Sequence, residues 1–266
     1  MMDVLLDGEM ERTMNVKCHI KTELYKLSHS GLIWIHIFVP LGAVSVFLVY
    51  YRFAAWSELG KVTGYLQILS IAYPVIIALV TTIVSDFEMR AGHCQLVLMT
   101  PCHRSIVHIV KLSVLLVCGF LSCLLAVLGF GVAFRLMGNI RFSIPFFVKS
   151  AVLLFCGNIL LYEISYLVSF WFPKGAGIGL GIVGSLVAAL MQTGLGDAVW
   201  YCVPCGISLR WCSLYALSQT EHANWIYDTD VRKSVVFMVI SGVLLFVLLI
   251  FWGNTWEAKA AMEEWD

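Results

Sequence analysis

Charged side chains are scarce in this sequence: only 13% of its 266 residues are Asp, Glu, Lys or Arg, whereas 60% are hydrophobic. A water-soluble domain of this size needs more polar surface than that. The mean hydropathy of +0.88 agrees with this. The composition therefore excludes an ordinary soluble protein and indicates a membrane protein.

An excess of either charge is also missing, because 17 basic residues balance 17 acidic ones. No stretch concentrates basic residues with interleaved aromatic side chains, as nucleic-acid-binding segments do. We therefore expect no nucleic-acid partner.

Three common catalytic motifs are absent. The sequence has no His-Glu-x-x-His zinc motif, no Gly-x-Ser-x-Gly elbow and no Gly-x-x-x-x-Gly-Lys-[Ser/Thr] phosphate loop. Gly60 and Lys61 are followed by Val62, and the upstream glycine of a phosphate loop is lacking. We predict that this chain is not an enzyme, binds no cofactor or metal itself, and does not bind ATP by that route.

Long apolar segments are abundant instead. A helix needs about 20 apolar residues to cross ~30 Å of hydrocarbon. We predict an all-α membrane protein with one transmembrane domain, 1–266, whose six spans are 31–51, 65–84, 112–134, 150–172, 175–193 and 235–252. An even number of spans places both termini on one side of the membrane.

The basic residues around the first span favour cytoplasmic termini. Lys and Arg accumulate on the cytoplasmic side of membrane proteins, and the first span usually has most weight. Four basic residues precede it, whereas Arg52 and Lys61 follow it. Over the whole chain the two sides carry nine and eight basic residues, so the first span decides the prediction.

Two polar-apolar segments flank the spans. Within 1–30, the residues Val16, Ile20, Leu24 and Leu27 recur at helical spacing and predict an interfacial helix, the alternative being an ordinary short helix on a soluble tail. The outer connection 194–234 is rich in aromatic residues, so we expect short helices that lie on or dip into the membrane. Its Cys202, Cys205 and Cys212 are either packing residues or, if this side is oxidising, partners in a disulfide.

The connection 85–111 is the most polar part of the chain between spans. Its His93-Cys94 and Cys102-His103 pairs have metal-ligand chemistry but fit no compact zinc spacing. The other interpretations are ordinary polar surface and a cytoplasmic segment that docks on a partner protein.

One acid, Glu163, lies within the spans. An ionisable group there costs about 2.5 to 3.5 kcal/mol or more unless it faces protein or water. We expect Glu163 to face inward or to be protonated, with Asn158, Ser165 and His36 as conceivable partners. We expect it to join helices or line a pathway rather than carry protons. In the fifth span, Gly175, Gly177, Gly179 and Gly181 form two Gly-x-x-x-Gly faces, for packing within the subunit or at a dimer seam.

Several motifs, in this order, resemble ABC exporter permeases of the six-span, type-2 class: Asp86-Phe87-Glu88-x-Arg90-x-Gly92, Leu98-Met99-Thr100-Pro101, Arg104 and Lys111. A narrower resemblance, to the permease subunits of lantibiotic immunity ABC transporters, rests on three further segments: Lys21-Thr22-Glu23-Leu24-Tyr25-Lys26-Leu27, Gly194-Leu195-Gly196-Asp197-x-x-Trp200-x-x-x-Pro204 and Trp256-Glu257.

The resemblance implies a subunit of a transporter in a bacterial cell membrane that expels a lantibiotic peptide. Its implied partners are two copies of a separate ATPase, which bind ATP and Mg²⁺, and a second six-span permease subunit. The family's ATPase-coupling loop corresponds to six residues of the connection: Asp86, Glu88, Arg90, Gly92, Pro101 and Arg104. Of these, Glu88 and Arg90 can pair with charged groups on a partner. Another type-2 exporter, for drugs, lipids or polysaccharide, and a peptide sensor that does not pump are the alternatives.

Overall fold

The computed structural model describes residues 17–90, 103–221 and 228–255, which fold into helices joined by short turns, without a strand. Helix α1 covers residues 17–29. The helices that follow are α2 (Leu32–Phe53), α3 (Glu58–Arg90), α4 (Arg104–Leu136), α5 (Ile144–Cys156), α6 (Ile159–Trp171), α7 (Lys174–Met191), α8 (Pro204–Glu221) and α9 (Thr229–Thr255). Two short 3₁₀ turns, Gly194–Gly196 and Trp200–Cys202, lie between α7 and α8.

Six helical segments of the described chain are long and apolar enough to cross a membrane: α2, α3, α4, the consecutive pair α5 and α6, α7, and α9. This confirms the predicted six-span, all-α class. Helices α3 and α4 have 33 residues each, and so extend well beyond their apolar segments. Hydropathy marks only the part of a helix inside hydrocarbon, whereas hydrogen bonding continues through the charged turns beyond it.

Helix α1 begins the described chain with its apolar stripe only partly covered. Ile20 and Leu24 are exposed, as expected for side chains that face lipid, and Leu27 is buried against the bundle. Lys17 and Lys21 are exposed. The N-terminal helix is therefore present, and its end is packed on the spans.

The fourth span is interrupted at Gly157 and Asn158, between α5 and α6. Helix α8 approaches the chain there so closely that a Cβ on Gly157 would lie 2.6 Å from the Cα of Ser208. The buried side chains of α8 include Ile207, Cys212 and Ala216. The connection after the fifth span therefore inserts a helix into the bundle instead of lying only on its surface.

The cysteines of that connection are free thiols, so the structure contains no disulfide among Cys202, Cys205 and Cys212. The Cys212 thiol points at the Ser150 carbonyl. Burial raises the pKa of the Cys205 thiol to about 11. Cys205 and Cys212 are thus packing residues, whereas Cys202 is exposed.

Helix α3 lies at the centre of the bundle, against α6, α7 and α8, while α2 packs mainly on α4. Tyr65 of α3 stacks on Phe130 of α4, with ring centroids 3.9 Å apart, and donates a hydrogen bond to the Ala126 carbonyl at 2.9 Å. By contrast, only 17% of the α2 span and 11% of the α9 span are buried. Most of the surface of these two helices is left for lipid or another subunit.

Candidate functional site

A ring of four charged side chains joins three helices at the end of the bundle that carries α1, called the α1 end here. Helix α1 supplies Glu23 and Lys26, α3 supplies Glu88, and α4 supplies Lys111. The Lys26 ammonium lies 3.2 Å from Glu23 and 2.9 Å from Glu88. The Lys111 ammonium lies 3.3 Å from Glu23 and also donates a hydrogen bond to Glu88. Opposite charges therefore alternate around a closed ring.

Burial makes this ring sensitive to the loss of any member. The exposed fractions of the side chains are 2% for Lys111, 5% for Glu88, 13% for Glu23 and 38% for Lys26. A buried ion whose partner is removed costs about 3 to 5 kcal/mol, because it keeps its desolvation penalty without compensation. The two lysines and two glutamates balance in charge, and their ion pairs connect all three helices.

The titration of Lys26 reflects the same arrangement. Burial lowers the pKa of its ammonium, but the nearby Glu88 and Glu23 carboxylates outweigh this effect and leave the pKa above its ordinary value of 10.5. Lys26 therefore stays positively charged at neutral pH. Lys26 is thus part of an ion-pair network within the chain.

A second ionic contact ties α3 to α7 at the same end. Asp86 lies 3.0 Å from Arg90 on its own helix and also pairs with Lys174, the first residue of α7. Arg90 keeps 73% of its side chain exposed. Asp86 therefore holds the start of the fifth span against α3, while the Arg90 side chain extends away from the bundle.

Aromatic packing connects α4 to the fourth and sixth spans nearby. His108 Nδ1 lies 2.8 Å from the Tyr166 hydroxyl of α6, and its ring lies 5.0 Å from the Trp252 ring of α9. A Cβ on Gly253 would lie 3.1 Å from the Cα of Ser105, so α9 approaches the start of α4 closely. The first turns of α4 are thus in contact with α1, α3, α6 and α9.

A cavity of about 300 Å³ lies beside the ring. The ring members line one part of it, and apolar side chains from α1, α3 and α4 line the rest, among them Leu27, Val84, Phe87 and Leu115. This end of the bundle therefore combines a neutral ionic network with space in which side chains can move.

The residues predicted for ATPase coupling have different surroundings. Asp86, Glu88 and Arg90 are in the last turns of α3, and Arg104 begins α4, so both ends of the segment 85–111 are helical. Gly92 and Pro101 lie outside the described residues. We expected Glu88 to pair with a partner protein, but its carboxylate is buried in ion pairs with Lys26 and Lys111 of this chain. Sequence alone does not show that α1 covers Glu88, and its assignment to the ATPase-coupling loop stays a prediction.

Glu163, Asn158 and His36 do not form a cluster. The Asn158 amide donates a hydrogen bond to the Leu154 carbonyl, and His36 Nδ1 donates one to the Leu32 carbonyl. Glu163 Oε2 is buried and has no hydrogen-bond partner among the residues that the structure describes. It lies toward α9, where a Cβ on Gly242 would be 3.8 Å away. The expected contacts of Glu163 with Asn158 and His36 are therefore not present.

The glycines of α7 divide into a packed face and an open one. A Cβ on Gly177 would lie 2.4 Å from Thr82 Oγ1, and one on Gly181 would lie 2.5 Å from the Ala78 Cβ, so this face is pressed against α3. A Cβ on Gly175 or Gly179 would have nothing within 4 Å. One Gly-x-x-x-Gly face thus serves packing within the subunit, and the other faces outward.

Metal binding has no support in the described ranges, where no three His, Cys, Asp or Glu side chains come together as ligands. Of the residues considered for a metal site, His93, Cys94 and Cys102 lie outside those ranges.

Sequence reasoning did not include Glu23, Lys26 and Lys111 among the candidate site residues. Two signals were available. Glu23 and Lys26 are three residues apart on one helix, and Lys111 is a single cation at the start of a long apolar run, where its charge needs a partner. The position of that partner, at the end of another helix, becomes visible only in the fold.

Comparison with known proteins agrees with this architecture. No curated protein matches the chain. Residues 19–191 match the family model described as ABC-2 family transporter protein. This stretch covers most of the chain and runs from α1, through the ring, to the end of α7. The protein is a multi-pass membrane protein that belongs to the ABC-2 family of transporters, whose membrane subunits are transport components and not themselves catalysts.

Proposed function

We propose that this chain is the permease subunit of an ABC exporter that expels a lantibiotic-type antimicrobial peptide and so gives a bacterium immunity or resistance. It would act with two copies of an ATPase, which supply ATP and Mg²⁺ chemistry, and with a second, related six-span subunit. Both termini and the α1 end would face the cytoplasm. The membership of the ABC-2 family supports the class of transporter, and the motifs quoted above support the peptide.

The observation that carries the proposal is the ring at the α1 end. Arg90 and Arg104 flank the connection on which an ATPase would act, and each belongs to a helix of 33 residues that continues into the membrane. A displacement of the connection therefore moves both spans directly, because a continuous helix is stiff over this length.

The ring would spread that displacement to a third helix. Separating α1 from α3 would break the Lys26–Glu88 ion pair, and separating α1 from α4 would break the Lys111–Glu23 ion pair. The three helices are therefore expected to move as one unit, and the Asp86–Lys174 ion pair adds the start of α7. Such a rigid unit suits a switch between two packings of the spans.

Glu163 is the residue that we propose as a contact for the peptide within the spans. Its Oε2 has no hydrogen-bond partner in the described structure, so it does not serve as a hydrogen-bonded link between helices. A carboxylate in an apolar environment is stabilised by a cation, which a basic side chain of a peptide would provide during transport.

The test is to co-express this chain with the ATPase and the second permease encoded beside it, to purify the complex, and to measure ATP hydrolysis. The proposal predicts that an ATPase co-purifies and that lantibiotic peptide stimulates hydrolysis. Stimulation by a drug, lipid or polysaccharide instead would support another type-2 exporter. Failure of any ATPase to co-purify would refute the exporter and favour a peptide sensor.

A further inference from the structure

The end of the bundle opposite the α1 end is strongly basic around the first four spans. Segments 52–61 and 135–149 contain five basic residues and one acidic residue, Glu58. Glu58 Oε2 accepts a hydrogen bond from the backbone N–H of Arg141 at 3.2 Å. The basic side chains at this end therefore have little acidic charge near them in the sequence.

Two of these cations line an open concavity of about 590 Å³ between the ends of α2, α3 and α4. Arg52 is the penultimate residue of α2, and Lys61 is in the first turn of α3. Within the described parts of the chain, neither makes an ion pair with an acid. The Lys61 ammonium donates a hydrogen bond to the Tyr51 carbonyl at 2.9 Å, which fixes its position and leaves further N–H groups available.

The rest of the concavity is amphipathic. Its polar part also includes Asn139, whose amide donates a hydrogen bond to the Phe134 carbonyl at 3.3 Å. This asparagine follows Gly138, which has a φ of +95° and turns the chain back at the end of α4. The apolar part is lined by Leu48, Val49 and Met137. Val49 is 63% exposed, so the apolar wall is open to the surrounding hydrocarbon.

Cations beside an apolar wall at the end of membrane-spanning helices match the structure of an anionic phospholipid. An arginine can hold two phosphate oxygens at once, and a lysine supplies a second cation for the same headgroup. We propose that Arg52 and Lys61 bind the phosphate of an anionic phospholipid, with Asn139 beside the headgroup and an acyl chain along Leu48 and Val49. Because α2 has little contact with α3, this lipid would also join their ends.

A different explanation is that both cations simply extend toward whatever headgroups surround the protein. The two explanations differ in specificity. A bound lipid depends on the two residues that line the concavity, whereas general attraction depends on the number of charges at this end. Arg141 and Lys149 are exposed basic residues at the same end that do not line it, so R141Q/K149Q is a matched control for R52Q/K61Q.

The experiment is native mass spectrometry of the purified full-length chain in detergent, titrated with phosphatidylglycerol, phosphatidylcholine or inorganic phosphate. We expect a preference for phosphatidylglycerol over phosphatidylcholine, a loss of roughly thirtyfold in affinity in R52Q/K61Q, and little change in R141Q/K149Q. If the double variant aggregates, the single variants Arg52→Gln and Lys61→Gln should each lose part of the binding.

Three results would overturn the proposal. An equal loss in the two double variants would mean attraction by overall charge. Equal binding of the two phospholipids would mean that the phosphate site has no selectivity for an anionic headgroup. Binding of inorganic phosphate as tight as that of phosphatidylglycerol would identify a free-anion site instead of a lipid site.

Discussion

The ring at the α1 end makes a quantitative prediction about Lys111. The substitution Lys111→Met removes an ammonium that is only 2% exposed and leaves Glu23 and Glu88 with Lys26 as their shared cation. Two carboxylates then face one ammonium, and one of them is a buried charge in excess. We expect the free energy of unfolding to fall by about 3 to 5 kcal/mol, the usual cost of breaking a buried ion pair on one side.

A double variant separates this charge effect from lost packing. Removing Glu88 together with Lys111 leaves Glu23 and Lys26, which are 3.2 Å apart and electrically balanced. The double variant Glu88→Met with Lys111→Met should therefore lose less than the sum of the two single variants, with a coupling energy of at least about 2 kcal/mol. Methionine keeps most of the side-chain volume at both positions.

The assay is equilibrium unfolding of the detergent-solubilised protein by increasing fractions of SDS, followed by circular dichroism. Arg90→Met is the matched control, because it removes a cation from the same end whose side chain is 73% exposed. It should cost no more than about 1 kcal/mol. The reasoning would be refuted if Lys111→Met behaved like Arg90→Met, or if the losses at Glu88 and Lys111 simply added.

Three further predictions follow from single contacts. Gly181→Ala should lose about 1 to 3 kcal/mol in the same unfolding assay, because its methyl group meets the Ala78 Cβ. Gly179→Ala should change stability by less than about 1 kcal/mol. Equal losses would contradict the division of α7 into two faces. Glu163→Gln should keep or raise stability, since it removes an unpaired charge. The same substitution should lower peptide-stimulated ATP hydrolysis. A large loss of stability would instead indicate that Glu163 has a structural partner. The pKa of Lys26 is raised in the folded state, so its stabilising effect should be complete below its ordinary pKa of 10.5 and disappear as the pH rises through the folded value. The free energies of unfolding of the native protein and of Lys26→Met should therefore converge only in that range.

The six spans could be predicted from the sequence because the hydrocarbon requires them to be apolar over a fixed length. The ends of these helices could not be predicted, because a hydropathy plot does not show the charged turns in which a helix continues beyond its apolar part. Asp86 and Glu88 therefore looked like loop residues, although both belong to α3. The break of the fourth span at Gly157 has a similar origin: it accommodates Ser208 of α8, a residue more than fifty positions away.

The ring was missed because its members belong to three different helices, which become neighbours only when α1 packs against α3 and α4. Each residue alone has a simple local interpretation, a lysine at an interface or a glutamate in a connection. Burial changes that interpretation, since the buried Glu88 and Lys111 form an ion pair with each other. The glycines of α7 illustrate the converse, because the sequence showed two equivalent faces and only the position of α3 distinguishes them.

The central claim is that an ATPase drives this permease from the α1 end. Site-specific photo-cross-linking tests it directly, with a photoreactive amino acid placed at exposed Arg90, beside the proposed coupling connection, or at exposed Arg52, at the opposite end. In the purified complex, the account predicts a cross-link to the ATPase from position 90 and none from position 52. A cross-link from position 52, or none from position 90 in a complex that hydrolyses ATP, would contradict it.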